Sequence, residues 1–246
     1  MMADLSGKRA IVTGGSRGVG LECARLLAQQ GANVAFTGRS EISVERARRA
    51  LVGAGRISGH VIDVRDQAAM EELIRPGCDI LVNNAALGGG FAKLHETPAE
   101  EVAECLEVNL VAALLVARLA VITMLEAGGG TIVNISSGAA LRAVPQAMPY
   151  CTSKAGLAMV TQGLHVEYAD LGIRCFGFQP GIVDTDMQAE LQNSGLPPEM
   201  LPPLDIMVQP EEVARAVAWL CGTGSDGFVG REFSIYDPEF RSAAGL

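Results

Sequence analysis

Two short runs, Ile80-Leu81-Val82 and Ile132-Val133-Asn134-Ile135, are almost unbroken in apolar residues and lie between longer stretches with helical spacing. A strand that is apolar on both faces must be covered from both sides, which a half-solvated antiparallel sheet cannot do. Helices between such strands make the neighbours parallel and the crossovers right-handed. The pattern predicts strands at Arg9–Thr13, Asn33–Thr37, Gly59–Ile62, Asp79–Val82, Thr131–Ile135, Arg174–Phe178 and Glu232–Ile235. It predicts helices at Gly18–Gln30, Val44–Val52, Pro98–Leu106, Val108–Leu125, Tyr150–Tyr168 and Pro210–Cys221. The fold class is α/β, a doubly wound parallel sheet of about seven strands with helices on both faces.

No repeat or linker divides the sequence, so residues 1–246 read as one domain. Pro197, Pro198, Pro202, Pro203 and Pro210 interrupt regular structure in one segment. Residues 190–210 are therefore expected to form a substrate lid. A net charge of -9 opposes general binding to nucleic acid or to an anionic membrane. The apolar helix Val108–Leu125 is short for a bilayer and carries Arg118, so a buried or interface helix is expected instead. Six dispersed cysteines without a CxxC, and a start lacking a basic-then-apolar signal, predict reduced thiols in the cytoplasm. His60, His95 and His165 stand apart without metal-ligand spacing, so no metal site is expected.

Thr13-Gly14-Gly15-Ser16-Arg17-Gly18-Val19-Gly20 joins the first strand to the first helix. Glycines there permit a tight turn and a close backbone approach, and the helix N-terminus offers unpaired N–H groups to an anion. Placed after a strand and before a helix, the turn predicts a Rossmann-type dinucleotide site, although the spacing is GxxxGxG. The second strand ends in Gly38-Arg39, without the acidic residue that would bind both ribose hydroxyls of NAD. Arg39 and Arg17 can offer guanidinium groups to a 2′-phosphate, so NADP is expected over NAD.

Tyr150 and Lys154 are four apart, and Ser137 lies thirteen residues before Tyr150, at the end of a predicted strand. On a helix the tyrosine and lysine share one face, so a phenol, an ammonium and a hydroxyl converge. Such a group can move a proton on and off an alcohol oxygen.

Taken in order, the turn at Thr13–Gly20, Asp63-Val64, Asn83-Asn84-Ala85, Asn109, Ser137, Tyr150 with Lys154, and Pro180-Gly181 resemble the short-chain dehydrogenase/reductase family along nearly the whole chain. The resemblance implies an NADP(H)-dependent oxidoreductase that passes a hydride between nicotinamide and a carbonyl or secondary alcohol. Tyr150 would be the general acid and base, its phenol moved below the usual value of about 10 by Lys154. Lys154 would also hold the nicotinamide ribose, Ser137 would position the substrate oxygen, and Asn109 would orient a relay water. Asp63 and Val64 would contact adenine, and Asn83 and Ala85 the adenosine side. Pro180, Gly181 and Ile182 would line the nicotinamide, with Thr185 reaching its carboxamide or the phosphates. Asp184 and Asp186 read as caps of the following helix.

Two departures from the family pattern stand out. Ala86 replaces the usual glycine, and Ser234-Ile235-Tyr236-Asp237-Pro238 replaces the usual ending. Asp184–Gln188 and Tyr236-Asp237 also resemble the sepiapterin and benzil reductase branch, which reduces adjacent dicarbonyls, but Ser234 stands where a pterin-anchoring aspartate would be, which points away from a pterin and leaves a carbonyl compound, such as a vicinal diketone, as the expectation. The alternatives are a β-ketoacyl thioester reductase, with Arg142 near the mouth, and a non-catalytic NAD(P)-sensing regulator. The expected partner is a small carbonyl or alcohol substrate, in a homodimer or homotetramer assembled on the helices starting at Val108 and Tyr150.

Overall fold

The computed structural model describes residues 4–193, 196–197, 201 and 203–246. Its sheet has seven strands in the order β3-β2-β1-β4-β5-β6-β7. They are β1 (Arg9–Val12), β2 (Asn33–Gly38), β3 (Arg56–Val61), β4 (Ile80–Asn83), β5 (Gly130–Ile135), β6 (Ile173–Gln179) and β7 (Glu232–Ser234). Every pairing is parallel, with Ile11 opposite Ala35 on one side and Leu81 on the other.

The alternation within each strand explains why both faces are apolar. Ala10, Val12, Val34, Phe36, Val133 and Phe176 point to one side, where helices α1 (Gly18–Gln29), α2 (Glu41–Ala50) and α8 (Pro210–Leu220) cover them. Ile11, Ala35, Leu81, Ile132 and Cys175 point to the other, against α3 (Gln67–Ile74), α5 (Ala113–Ala127) and α6 (Met148–Tyr168). The remaining helices are α4 (Ala99–Leu106), α7 (Asp186–Gln192) and α9 (Pro238–Ala244). All six cysteines are free and buried.

The strand and helix expectations hold to within a few residues, with two informative differences. The helix expected at Val108–Leu125 begins as a π-helical turn, Glu107–Ala112, continuous with α4 before it and α5 after it. The whole run Ala99–Ala127 is long and apolar enough to cross a membrane, but half of its most apolar window is buried inside the fold, as in a core helix. Helices α3 and α9 are not among those expected from the sequence; α3 carries only eight residues, with Met70, Leu73 and Ile74 as its buried stripe.

The chain order reverses between β1 and β4, whose partners diverge to opposite edges. A crevice opens at the carboxyl ends of strands at such a switch point. Thr13, Gly38, Asn83, Ser137, Pro180 and Tyr236 all stand at those carboxyl ends.

Candidate active site

The turn after β1 is shaped by what each glycine touches. Gly14 and Gly18 adopt φ of +65° and +54°, where a side chain is strained. A Cβ on Gly14 would lie 2.9 Å from the Ala85 Cα, and one on Gly15 2.5 Å from the Phe36 Cβ. A Cβ on Gly20 would collide with the Asn84 amide and the Gly14 carbonyl. Thr13, buried at the end of β1, locks the turn to the next crossover. Its Oγ1 accepts from the backbone N–H of Asn84 at 3.0 Å and of Ala85 at 3.1 Å, while Asn84 Nδ2 donates to the Thr13 carbonyl at 2.9 Å. Helix α1 has no side-chain cap and no acidic residue in its first turn. Its N–H groups and positive dipole end are thus left for an anion, which fits a pyrophosphate.

At the end of β2, a Cβ on Gly38 would meet the Ser16 Cβ and Oγ and the Val44 Cγ2, all at 2.9 Å. An acidic side chain therefore has no room at this position. Arg39 is half-exposed, with Nη1 3.9 Å from Glu104 Oε1. The same Glu104 oxygen lies 3.4 Å from Arg65 Nη1. Arg65 in turn grips Asp63 at 2.7 Å and holds its carboxyl below the usual carboxylate range. Asp63 is thus engaged by Arg65, a residue the sequence reading passed over. Arg17 is drawn elsewhere: its guanidinium lies 2.6 Å from Asp186, tying the turn to α7. Buried Val64 lines a narrow slot with Thr13, Asn83, Ala85 and Val108.

Helix α6 places Tyr150 and Lys154 one turn apart, with the Lys154 Nζ 5.7 Å from the centre of the Tyr150 ring. Ser137 follows β5, and its hydroxyl, which accepts from Ala139 N–H at 3.2 Å, lies near enough to the Tyr150 phenol to favour the phenolate. Burial holds the phenol pKa above its usual value, offset only in part by Ser137, so the lowering expected from Lys154 is not seen in this structure. Lys154 is 2% exposed and donates to the Ile135 carbonyl at 2.8 Å. Its desolvation lowers the ammonium pKa to about 8. Phenol, hydroxyl and ammonium therefore do converge where a strand ends.

Asn109 lies in the π-helical turn, a geometry that recurs at functional sites. Its side chain bonds to protein groups: Oδ1 accepts from Leu87 N–H at 2.7 Å, and Nδ2 donates to the Leu87 carbonyl at 2.9 Å and Ser153 Oγ at 3.0 Å. Ser153 then donates to the Tyr150 carbonyl at 2.7 Å. The expected water-orienting amide is thus a bracket between the loop after β4 and the catalytic turn of α6. Asn83 also turns inward, donating to the Ala113 carbonyl at 3.1 Å and to Asn134 Oδ1 at 3.0 Å. Asn134 Nδ2 extends this ladder to Thr161 at 3.0 Å.

The loop after β6 is held by a residue that the sequence reading left without a role. Tyr236 Oη accepts from Ile182 N–H at 3.1 Å and donates to the Ile206 carbonyl at 2.8 Å. Its ring covers Gly181, where φ is +77° and a Cβ would lie 2.6 Å from the ring. The substituted C-terminal ending therefore clamps the Pro180–Ile182 turn. Thr185 is itself the cap of α7, accepting from Gln188 N–H at 3.4 Å, so the expected Asp184 or Asp186 cap is corrected. Its methyl group lies against Gly18 at the start of α1. Ala86 requires no left-handed backbone.

A family profile described as short chain dehydrogenase matches residues 8–195. The chain belongs to the short-chain dehydrogenase/reductase family. It is an oxidoreductase acting on CH-OH or C=O groups. It is 33% identical over 236 residues to dehydrogenase/reductase SDR family member 4 of Bos taurus, covering 92% of this chain and 85% of that one. It is 34% identical over 241 residues to the 3-oxoacyl-acyl-carrier-protein reductase FabG of Chlamydia trachomatis, covering 94% and 96%. Among solved structures, an actinorhodin polyketide ketoreductase with NADPH superposes with a TM-score of 0.86 at 30% identity, covering 96% of this chain and 97% of that one. A gluconate 5-dehydrogenase from Burkholderia cenocepacia in complex with NADP and tartrate gives 0.84 at 29%, covering 97% and 96%.

Proposed function

We propose that this short-chain dehydrogenase/reductase is an NADP(H)-dependent carbonyl reductase or alcohol dehydrogenase in which Tyr150 handles the proton. The observation that carries this reading is the convergence of Tyr150, Ser137 and buried Lys154 beside a glycine turn whose helix N-terminus is uncapped. The glycine turn, Thr13 and the open end of α1 fit a pyrophosphate. Val64 and Ala85 would flank the adenosine, and Pro180, Gly181, Ile182 and Thr185 the nicotinamide end. The bound nicotinamide supplies or takes up the hydride. Ser137 positions the substrate oxygen, Tyr150 gives or takes its proton, and the Lys154 ammonium stabilises the phenolate. Asn109 and Ser153 fix the start of α6, so the phenol is aimed before substrate arrives.

The preference for NADP rests on Gly38, which leaves no room for an acid, and on Arg39, whose long contact to Glu104 is easily exchanged for a 2′-phosphate. Arg17 contributes less directly, because Asp186 already holds it. Residues 194–195, 198–200 and 202 of the proposed lid, 190–210, lie outside the described residues. Its two ends are joined at the base, Asp184 N–H donating to Val208 O at 3.1 Å and Val208 N–H to Ile182 O at 2.7 Å.

The substrate class is a small carbonyl compound, with vicinal diketones first. A second reading, β-ketoacyl thioesters, is favoured by a cavity of about 660 Å³ lined by Leu94, Leu141, Val144 and Met148 with Lys93 and Arg142 among its walls. The exposed apolar residues Val111, Leu114, Ile122 and Leu125, with Met159 and Val166 on α6, support a homodimer or homotetramer. Six free buried thiols support a reducing, cytoplasmic setting. The test is cofactor oxidation by purified protein with diketones, simple ketones, quinones and β-ketoacyl thioesters, using NADPH and NADH in parallel. Turnover of a carbonyl with NADPH favoured is expected. Cofactor binding with no turnover across the panel would overturn the enzymatic reading in favour of a sensor.

A further inference from the structure

Lys154 is an ammonium at the bottom of the site whose recorded hydrogen bond runs to one carbonyl, that of Ile135. A buried cation is stabilised by an opposite charge nearby. Helix α4 presents Cys105 to it, and α6 itself presents Tyr150. The sheet presents Glu232, the first residue of β7.

Glu232 makes no direct ion pair with Lys154 among the described residues, but several features set its carboxylate one strand away from the carbonyl that Lys154 binds. Gly177 pairs with Glu232 in β7 and with Asn134 in β5. A Cβ on Gly177 would run into Glu232 Oε1 and Cδ, so the missing side chain is the space the carboxylate occupies as it reaches across β6. Oε2 accepts from Gln179 Nε2 at 3.3 Å. Oε1 is buried and has no hydrogen-bond partner among the described residues, and neither has the buried hydroxyl of Ser136, the residue following the Lys154 acceptor. The Ser136 hydroxyl adjoins the carboxylate and favours its charged form, although both atoms stop short of a full hydrogen bond. Burial raises the Glu232 carboxyl pKa, while Ser136, Gln179 and Lys154 lower it, and Glu232 in turn raises that of Lys154. Cys175 on β6 also feels Glu232, and the His165 ring of α6 lies against Gly230, two residues before it.

We infer that Glu232 is the buried counter-charge that keeps Lys154 an ammonium, a positioning residue that acts through Lys154 without touching substrate. Gly177 and Gln179 hold it in that role. The inference rests on Lys154 being the active-site ammonium, as proposed above, but its test does not depend on turnover.

The experiment follows the titration of Lys154 by NMR of protein carrying ¹³C-labelled lysine, the signal being assigned by its loss in Lys154→Met. Glu232→Gln keeps the shape and the Gln179 contact while removing the charge. It should lower the Lys154 midpoint by about one pH unit, and Glu232→Asp should restore most of that shift. An unmoved or raised midpoint in Glu232→Gln overturns the counter-charge. Should that variant fail to fold, linkage gives the reciprocal measurement. The Glu232 carboxyl midpoint should rise in Lys154→Met, and an unchanged Glu232 titration overturns the proposal equally. An inactive wild type would defeat the proposed reaction while leaving both titrations to be read as they stand.

Discussion

Replacing Thr13 by valine exchanges a hydroxyl for a methyl at nearly constant volume, so the response isolates the hydrogen bonds of Oγ1. The hydroxyl accepts from two backbone N–H groups, at 3.0 and 3.1 Å. Its own donation to the Val82 carbonyl is long, at 3.4 Å, and that carbonyl also accepts from Thr13 N–H at 3.0 Å. Loss of the donation should therefore matter little. A buried N–H left without a partner costs about 1–3 kcal/mol, and two of them in a half-buried turn cost about 2–4 kcal/mol together. Urea unfolding followed by the fluorescence of Trp219, the single tryptophan, measures this directly. Trp219 packs edge-on against Phe228 and Phe240, each at 5.6 Å, and so reports the core beneath α8 and α9. Thr13→Val should lose about 2–4 kcal/mol, whereas Thr13→Ser, which keeps the acceptor, should lose about 1 kcal/mol or less. Equal stability of the two variants would refute the reasoning that Thr13 joins the phosphate turn to the Asn84-Ala85 backbone.

Other perturbations test separate parts of the account. Arg39→Asp should move the ratio of NADPH to NADH kcat/KM towards NADH by at least about tenfold, the loss of one charge-assisted hydrogen bond; an unmoved ratio defeats the assignment of Arg39. Tyr236→Phe releases the Ile182 and Ile206 groups together and should raise KM for cofactor and substrate several-fold with kcat less affected, as steady-state kinetics would show. The lowered pKa of Lys154 makes a signed prediction for stability. Between its folded value of about 8 and the ordinary 10.5, the unfolded chain binds the extra proton. The Lys154 contribution to stability therefore rises with pH, by about 2 kcal/mol from pH 7.5 to 9.5. Subtracting the Lys154→Met urea profile from the wild-type one isolates that slope from the opposing titration of the buried thiols, and a flat difference contradicts it.

Much of the fold is legible in the sequence because its signals are local. Ile80–Val82 and Ile132–Ile135 look like two-sided strands because each residue packs against helices on one face or the other. The glycine turn and the Tyr150–Lys154 spacing are also short-range patterns, and both fall where expected. The π-helical turn at Glu107–Ala112 leaves no mark in the sequence because its apolar spacing differs little from that of the helix continuing through it. Long-range pairs leave no local trace: Arg17 meets Asp186 and Tyr236 meets Ile182 only once the sheet is assembled. Asn109 and Asn83 lie near the site, but their amides face protein partners: both ends of the Asn109 amide are engaged, whereas Asn83 uses its Nδ2 and its buried Oδ1 has no partner among the described residues.

The central claim is that the Tyr150 phenol transfers the proton, and Tyr150→Phe tests it most directly when single-turnover rate and cofactor affinity are measured on the same protein. The ring, its packing and the position of Lys154 are retained, so the cofactor dissociation constant should stay within about twofold of wild type. The rate should fall by at least about 10²-fold, the contribution of a positioned general acid. A Tyr150→Phe protein that binds cofactor normally and turns over at the wild-type rate would contradict the account.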